Sequence, residues 1–375
     1  METVWMGRPL WEQRLYACMH GHPVPSKWIR LGLLPLWGAA QSYRGVVAVR
    51  YAAYISGVWR RRRLPCRVIS VGNLTFGGTG KTPLTIWLAQ WLQRHGWRVA
   101  VLSRGYKAQA AGPLQVVSRG DGSLLDWRAA GDEAYLLARA LPGVPVLIGK
   151  DRYRSGRYAC ERFGVQVVIL DDGFQYLALH RDLNVVLLDA TNPFGHGTLL
   201  PRGILREPVQ ALRRADAIVM TRVESATGTL SALCQHIRRW ATHQPLHAMT
   251  TVPETLYHVI TGTAAGLAWL RQRRVMAFAG IGNPPAFAAT LTQLGADVVV
   301  LCAFPDHHAY TAHDWHTIVA VAQQQQVSCL ITTEKDAVRL SPDWPAPLPV
   351  YALRIGVRLS QENPSLTQQL QALMG

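Results

Sequence analysis

Residues Val68 to Thr82 read VISVGNLTFGGTGKT, and no other stretch constrains the fold as tightly. An apolar, β-branched run breaks into Gly77-Gly78-Thr79-Gly80, closes on Lys81-Thr82 and passes into an amphipathic segment from Leu84 to Leu92. That order is a strand, a phosphate loop and a helix. Glycines let backbone N–H groups turn toward phosphate oxygens, and the helix N-terminus adds the positive end of its dipole. Lys81 is spaced to reach the β- and γ-phosphates, and Thr82 to offer its hydroxyl to Mg²⁺. Thr75 stands where the strict pattern has glycine, so the strand-loop-helix context carries the match as much as the spelling does. Read otherwise, the word is a glycine turn with a chance Lys-Thr.

The rest of the chain has an α/β rhythm. Short β-branched runs at Arg98 to Ser103, Val144 to Gly149, Val165 to Leu170, Asn184 to Asp189 and Asp216 to Thr221 alternate with helical segments such as Asp132 to Leu141 and Ser155 to Phe163. Alternation of this kind makes a mainly parallel sheet covered on both faces. From Pro245 to Thr261 the pattern becomes apolar and polar in turn, the mark of a two-stranded connection. A second α/β rhythm starts at Arg274. The expected division is an N-terminal helical segment (1–66) attached to a phosphate-loop domain (67–244), a two-stranded linker (245–262) and a smaller C-terminal α/β domain (263–375).

Charge and the N-terminal segment suggest what surrounds this fold. The 39 Lys and Arg against 23 Asp and Glu leave a net charge of +16, which selects acidic partners: phosphates, nucleic acid or an anionic membrane. Six cysteines (Cys18, Cys66, Cys160, Cys234, Cys302, Cys329) lack C-x-x-C spacing, so neither a zinc ribbon nor a disulfide framework is expected. That usage fits a reducing compartment. The first 27 residues lack the basic-then-apolar order of a secretory signal, which leaves the catalytic part on the cytoplasmic side. From Leu31 to Trp59 the chain is apolar and aromatic, but Arg44 and Arg50 interrupt it. An arginine at the bilayer centre costs about 3 kcal/mol on insertion scales, which argues against a span. Arg60-Arg61-Arg62-Arg63 follows, and four basic residues near an anionic leaflet contribute about 4 kcal/mol. A helix lying in the interface satisfies both observations; a helix packed on its own domain with a solvated Arg face is the alternative.

Chemistry-bearing residues gather where strands end, the usual place in an open α/β sheet. The run Val167 to Leu170 delivers Asp171-Asp172-Gly173, carboxylates placed as the Walker B Asp is to hold Mg²⁺ or its water shell. Gly131-Asp132-Glu133 opens a helix, where an Asp is most simply an N-cap. Phe304-Pro305-Asp306-His307-His308 follows a strand of the second rhythm, with His313 and His316 beyond. Those histidines read as a zinc cluster, as a His-carboxylate pair that handles protons, or as surface residues.

Taken in order, the words VGNLTFGGTGKTP (Val71 to Pro83), LSRGY (Leu102 to Tyr106), GDE (Gly131 to Glu133), DDGFQ (Asp171 to Gln175), NPFGHGTLLPRGILREP (Asn192 to Pro208), FPDHHAY (Phe304 to Tyr310) and TTEKDA (Thr332 to Ala337) resemble the tetraacyldisaccharide 4′-kinase family of lipid A biosynthesis across nearly the whole chain. The family itself commonly lacks the first glycine of the loop, so Thr75 agrees with it; His196 departs from the Asn or Asp usual between Gly195 and Gly197.

The resemblance implies transfer of phosphate from ATP to the 4′-hydroxyl of a tetraacylated glucosamine disaccharide 1-phosphate, giving lipid IVA. It implies two α/β/α domains with the site in the cleft between them and a membrane-associated N-terminal helix. Carried over onto this chain, Asp132 is the base for the sugar hydroxyl and His307 its partner, while Lys81 and Arg206 neutralise the transferred phosphoryl group. Thr75, Phe76, Gly77, Gly78, Thr79, Gly80, Lys81, Thr82 and Tyr106 line the ATP, and Thr82, Asp171, Asp172 and Glu207 surround Mg²⁺. The implied setting is the cytoplasmic face of the bacterial inner membrane, with the lipid substrate and an anionic surface as partners and no nucleic acid. Two rivals remain open. A nucleotide-gated metallochaperone or GTP switch would want an Asn/Thr-Lys-x-Asp word, and Thr221-Arg222-Val223-Glu224 is a degraded version of one. A nucleic-acid-binding ATPase is suggested by charge alone.

Overall fold

The computed structural model describes residues 2–6, 34–106, 108–109, 112–122, 124–195, 197–226, 229–360 and 365–375. The expectations for Leu31 to Leu33, Cys18 and His196 lie outside the described residues. The chain divides into two compact units, one made of residues 14–251 and 357–375, the other of 1–13 and 252–356.

In chain order, β1 (Glu2–Trp5) belongs to the smaller unit. The larger unit then holds α1 (Leu34–Ile55), β2 (Arg67–Asn73), α2 (Lys81–Arg94), β3 (Val99–Ser103), β4 (Gln115–Ser118), α3 (Asp132–Ala140), β5 (Val146–Ile148), α4 (Arg152–Phe163), β6 (Val167–Asp171), β7 (Leu183–Asp189), β8 (Ala217–Thr221) and α5 (Leu230–Arg238). The chain leaves this unit inside β9 (Leu246–His258). It continues through β10 (Ala264–Ala265), β11 (Arg274–Ala279), α6 (Pro284–Gln293), β12 (Asp297–Ala303), α7 (Ala312–Gln324) and β13 (Cys329–Thr333). The return is inside β14 (Val350–Leu359), and α8 (Leu366–Met374) ends the described chain.

The larger unit's sheet runs β9-β8-β7-β2-β6-β3-β5-β4, parallel except for antiparallel β4 at its edge. Strand β2 is central, between β6 and β7, and is buried from Val68 to Asn73. Its β-branched residues suit a strand covered on both faces. On one face α2 and α3 bury Leu84, Leu88, Leu92 and Leu137 against Ile69, Val101 and Ile169; on the other, Val68, Ala100 and Leu170 pack with Ala159 of α4. Local signals set the helix ends. Asp151 accepts from the amides of Tyr153 and Arg154 to start α4, and Gly164 (φ 59°) stops it in the left-handed region.

The smaller unit has its own parallel sheet, β1-β12-β11-β13-β14, over a core that includes Phe278, Phe304, Trp315 and Ile331. A Thr311–Asp314 capping box starts α7.

Four boundaries differ from the sequence reading. Residues 357–375 do not belong with 263–356: Leu366 and Leu370 of α8 are buried in the larger unit's core beside Leu84 and Val185. Residues 2–5 pair with Val300 to Ala303 of the smaller unit's β12, so the 1–66 segment does not stay with one unit. The alternating stretch from Pro245 is one long strand, β9, with β10 folding back on its end at Tyr257 and Leu256. Helix α1 also stops at Ile55, short of Trp59.

Candidate active site

Gly80 (φ 83°) caps α2 without any side-chain hydrogen bond, so the helix presents its first amides to the loop. That is the condition for anion binding at a helix N-terminus. The loop's entry is braced from outside its own sequence: the Arg206 amide donates to the Leu74 carbonyl at 2.7 Å and the Phe76 amide to the Ile204 carbonyl at 2.6 Å. This short ladder draws the Ile204-to-Glu207 segment alongside the phosphate loop. Thr75 is buried, Phe76 exposed and Tyr106 exposed.

Strand β6 brings the two carboxylates. Asp171 is its last residue and is buried, whereas Asp172 turns off it in the left-handed region (φ 54°), a conformation Asp tolerates. The turn is packed tightly under β2: a Cβ on Gly72 would meet Phe174 Cβ at 2.6 Å, and one on Gly173 would meet Ser70 Oγ at 2.6 Å. Only glycine fits at both places.

Four groups converge on this turn. Arg206 holds Asp172 with both terminal nitrogens, Nη1 to Oδ1 at 2.7 Å and Nη2 to Oδ2 at 3.0 Å. Lys81 Nζ lies 3.7 Å from the same Oδ1. Asn73 Oδ1 accepts from Lys81 and from Arg206, each at 3.3 Å, while Gln175 donates to the Asn73 carbonyl at 2.8 Å. Burial alone would raise the Asp172 carboxyl; Lys81 and then Arg206 outweigh it and hold it down to about 2. Asp171 has the opposite balance. Burial pushes it up to about 7, Glu133 adds repulsion, and Lys81 offsets only part of this. Thr85 Oγ1 donates to its Oδ1 at 3.4 Å.

Glu133 acting on Asp171 brings the GDE word to the same neighbourhood. Asp132 is not the N-cap expected from its sequence: Gly131 (φ 81°) caps α3, and Asp132 is the first helical residue, buried, with Oδ1 accepting from the Glu133 amide at 3.0 Å. A Cβ on Gly131 would meet the Tyr106 carbonyl oxygen at 2.7 Å, so the SRGY and GDE words touch through a glycine. Glu207 has an ion-pair partner of its own. Its carboxylate pairs with Arg214, with Arg50 and Arg181 close enough to stabilise its charge, while burial pulls its pKa upward.

The oxygen donors present suit a hard divalent cation. Thr79 Oγ1 is buried with no hydrogen-bond partner, and Asp171 is a buried carboxyl with one weak donor, so the loop and the end of β6 both hold unused acceptor capacity. Among the described residues no three His, Cys, Asp or Glu side chains form a metal-binding group, which also removes the zinc reading of His307, His308, His313 and His316. A magnesium ion bound with a nucleotide takes most of its ligands from phosphate and water, so one or two carboxylates suffice.

In the smaller unit the FPDHHAY and TTEKDA words come together. Lys335 Nζ lies 3.0 Å from His307 Nε2 and 3.1 Å from Asp306 Oδ1. An ammonium only donates, so Nε2 can enter this contact only as the acceptor. His307 itself is in the left-handed region (φ 59°). Buried Asp336 ties the words down by accepting from the Gly280 amide, Tyr310, Thr333 and Arg339. His308 pairs with Asp314 at 3.0 Å.

Asn73, Gln175 and Thr85 were missed as site residues by reasoning on sequence. Asn73 and Gln175 lie inside quoted words but carry no charge. Arg222 was also missed: after β8, it reaches Asp189 at 2.6 Å and the Gly78 carbonyl at 2.8 Å.

A family model described as tetraacyldisaccharide-1-P 4′-kinase matches residues 33–375. The tetraacyldisaccharide 4′-kinase of Syntrophus aciditrophicus is 44% identical over 328 residues, covering 86% of this chain and 88% of that protein. The one from Desulfatibacillum aliphaticivorans is 42% identical over 321 residues, 85% of this chain and 87% of its own. A crystal structure of LpxK from Aquifex aeolicus in complex with ATP superposes with a TM-score of 0.73 at 34% identity, covering 92% of this chain and 98% of that one.

Proposed function

The chain belongs to the tetraacyldisaccharide 4′-kinase family of lipid A biosynthesis, and from that premise we propose how its residues move a phosphoryl group from ATP to the 4′-hydroxyl of the lipid disaccharide 1-phosphate. The observation that carries the reading is the convergence of Lys81 and Arg206 on Asp172 beside the open N-terminus of α2. Two cations against one carboxylate leave a surplus positive charge for phosphate oxygens to meet when a nucleotide enters. Phosphoryl transfer asks little covalent chemistry of the protein and depends on position and charge.

The backbone from Thr75 to Gly80 cradles the phosphates, with Lys81 and Arg206 on the transferred group and Tyr106 beside the nucleotide. Thr82, Asp171 and Asp172 would hold Mg²⁺, which when bound draws charge from the phosphoryl oxygens. Glu207 serves this arrangement from a distance, its ion pair with Arg214 fixing the segment that carries Arg206. Asp132 accepts the proton of the sugar hydroxyl, and His307 is the second proton-handling residue, with Lys335 against its Nε2. The guanine-switch alternative is not favoured by the comparisons.

A substrate with four acyl chains stays in the bilayer, because each CH₂ exposed to water costs about 0.8 kcal/mol. Helix α1 offers the means to meet it. Trp37, Val46, Val49, Ile55, Val58 and Trp59 are exposed along and just after it, and Arg60 to Arg63 follow, also exposed. No described helix is long and apolar enough to cross a membrane. We therefore assign the protein to the cytoplasmic face of the inner membrane, held by α1 lying in the interface. The direct experiment supplies labelled ATP, Mg²⁺ and tetraacyldisaccharide 1-phosphate in detergent micelles. A lipid carrying a second phosphate is expected, and absence of that product overturns the assignment.

A further inference from the structure

The word Thr221-Arg222-Val223-Glu224 is left unused by the site as described. It stands at the C-terminal end of β8, two strands from β2 in the sheet. Arg222 adopts a left-handed conformation (φ 55°) immediately after the strand. From there its guanidinium donates Nη1 to Asp189 Oδ2 at 2.6 Å and Nη2 to the carbonyl of Gly78 at 2.8 Å. Asp189 is itself immobilised: its other oxygen, Oδ1, accepts from the amide and the hydroxyl of Thr191 at 3.0 and 2.6 Å.

The loop that Arg222 touches has little else to hold it. Gly77 and Gly78 are exposed, a Cβ placed on either would meet nothing within 4 Å, and Gly77 sits at φ 120°. Glycine backbones have the most freedom to lose. A peptide unit is planar with its C=O and N–H pointing in opposite directions. A Gly78 carbonyl drawn to Arg222 therefore turns the Thr79 amide the opposite way and removes the flipped alternative.

We propose that Arg222, anchored by Asp189, is a positioning residue for the phosphate loop: it fixes the Gly78–Thr79 peptide in the orientation that binds nucleotide phosphates and so sets the affinity for ATP. This rests on the kinase reading, since it names a determinant of that same nucleotide site. Arginine suits the task because its planar fork serves two acceptors at once, whereas a lysine ammonium is a point donor on a flexible stem.

The test uses the full chain with Arg222→Ala, Arg222→Lys and Asp189→Asn. Two readings are taken on each variant: steady-state kinetics with the lipid substrate, and titration with a non-hydrolysable ATP analogue without lipid. Arg222→Ala should raise both the KM for ATP and the Kd for the analogue about tenfold, with the KM for lipid unchanged. Arg222→Lys should recover part of the loss, and Asp189→Asn should fall between. A purely structural role predicts another pattern, in which a smaller active fraction lowers kcat and leaves the KM for ATP alone. That pattern, or wild-type affinity in Arg222→Ala, overturns the proposal. A parent protein that fails to bind the analogue overturns the kinase reading as well. A parent that binds it while the variants do so equally well overturns the positioning role alone.

Discussion

Asp172 and Asp171 are adjacent in sequence yet are pushed to opposite ends of the carboxylate range, and the cause is which neighbours the fold brings. Lys81 and Arg206 face Asp172, while Asp171 has burial and Glu133 against it. In the nucleotide-free protein the folded pKa of Asp172, about 2, lies under the unfolded value of about 3.9. Its pairing therefore stabilises fully above pH about 4 and is lost as pH falls through about 2, a contribution of about 2 kcal/mol. Arg206→Ala should cost about 1 kcal/mol or more at pH 7, since Lys81 retains part of the interaction. That gap should close in acid denaturation at pH 2, and an equal gap at both pH values would refute the account. For the proton-handling residues, Asp132→Ala and His307→Ala should each lower kcat by about 10²-fold, the scale of general-base catalysis, with ATP-analogue binding intact. Near-normal turnover in both would return them to structural roles. At this scale the sequence made Lys81 and Asp171 legible because their words have a fixed chemistry. Asn73, Thr85 and Arg222 were not legible, because what makes them matter is a distance of about 3 Å to a group far along the chain.

Among elements, α1 is the one whose composition said most and settled least. Its arginines ruled out a span on cost, but not which way they point. Arg50 donates to the Gln175 carbonyl at 2.7 Å and Tyr43 to the Arg206 carbonyl at 3.0 Å, so this helix is pinned to two of the words that build the site. What it leaves exposed is mixed: Val46 and Val49 together with Arg44. Burying a valine contributes about 1.5 kcal/mol. Val46→Glu with Val49→Glu should thus weaken partition onto anionic vesicles by about a hundredfold while leaving the far-UV dichroism unchanged; undiminished partition would assign membrane contact to another surface. Strands and helices from β2 to β8 were legible to within two or three residues, since short β-branched runs between helical segments admit little else. The edge strand β4 was not, as its four residues carry no pattern of their own.

For the whole molecule, the chain crosses between units inside β9 and again inside β14, so its last helix completes the core begun by the phosphate-loop strand. Leu370 is fully buried there, and Leu370→Ala should destabilise the larger unit by about 2–4 kcal/mol in denaturant melts, although it lies far along the chain from the loop. A melt shifted by less than 0.5 kcal/mol, about the size of an ordinary surface substitution, would show that α8 does not belong to that core. The net charge of +16 belongs to this scale too, and vesicle binding should weaken as salt rises because the Debye length shrinks. By itself the sequence determined the α/β class, the phosphate loop, the family and the words that carry chemistry, because each follows from residue type and spacing within a few positions of the chain. The tertiary structure alone decided that Arg206 and Lys81 share one carboxylate, that Glu207 faces Arg214 instead, that Arg222 reaches the loop, and that the C-terminal helix returns to the first core. Except for Glu207 and Arg214, seven positions apart, those are contacts between residues tens to hundreds of positions apart, and their partners are chosen by burial and charge neutralisation, which no local pattern encodes.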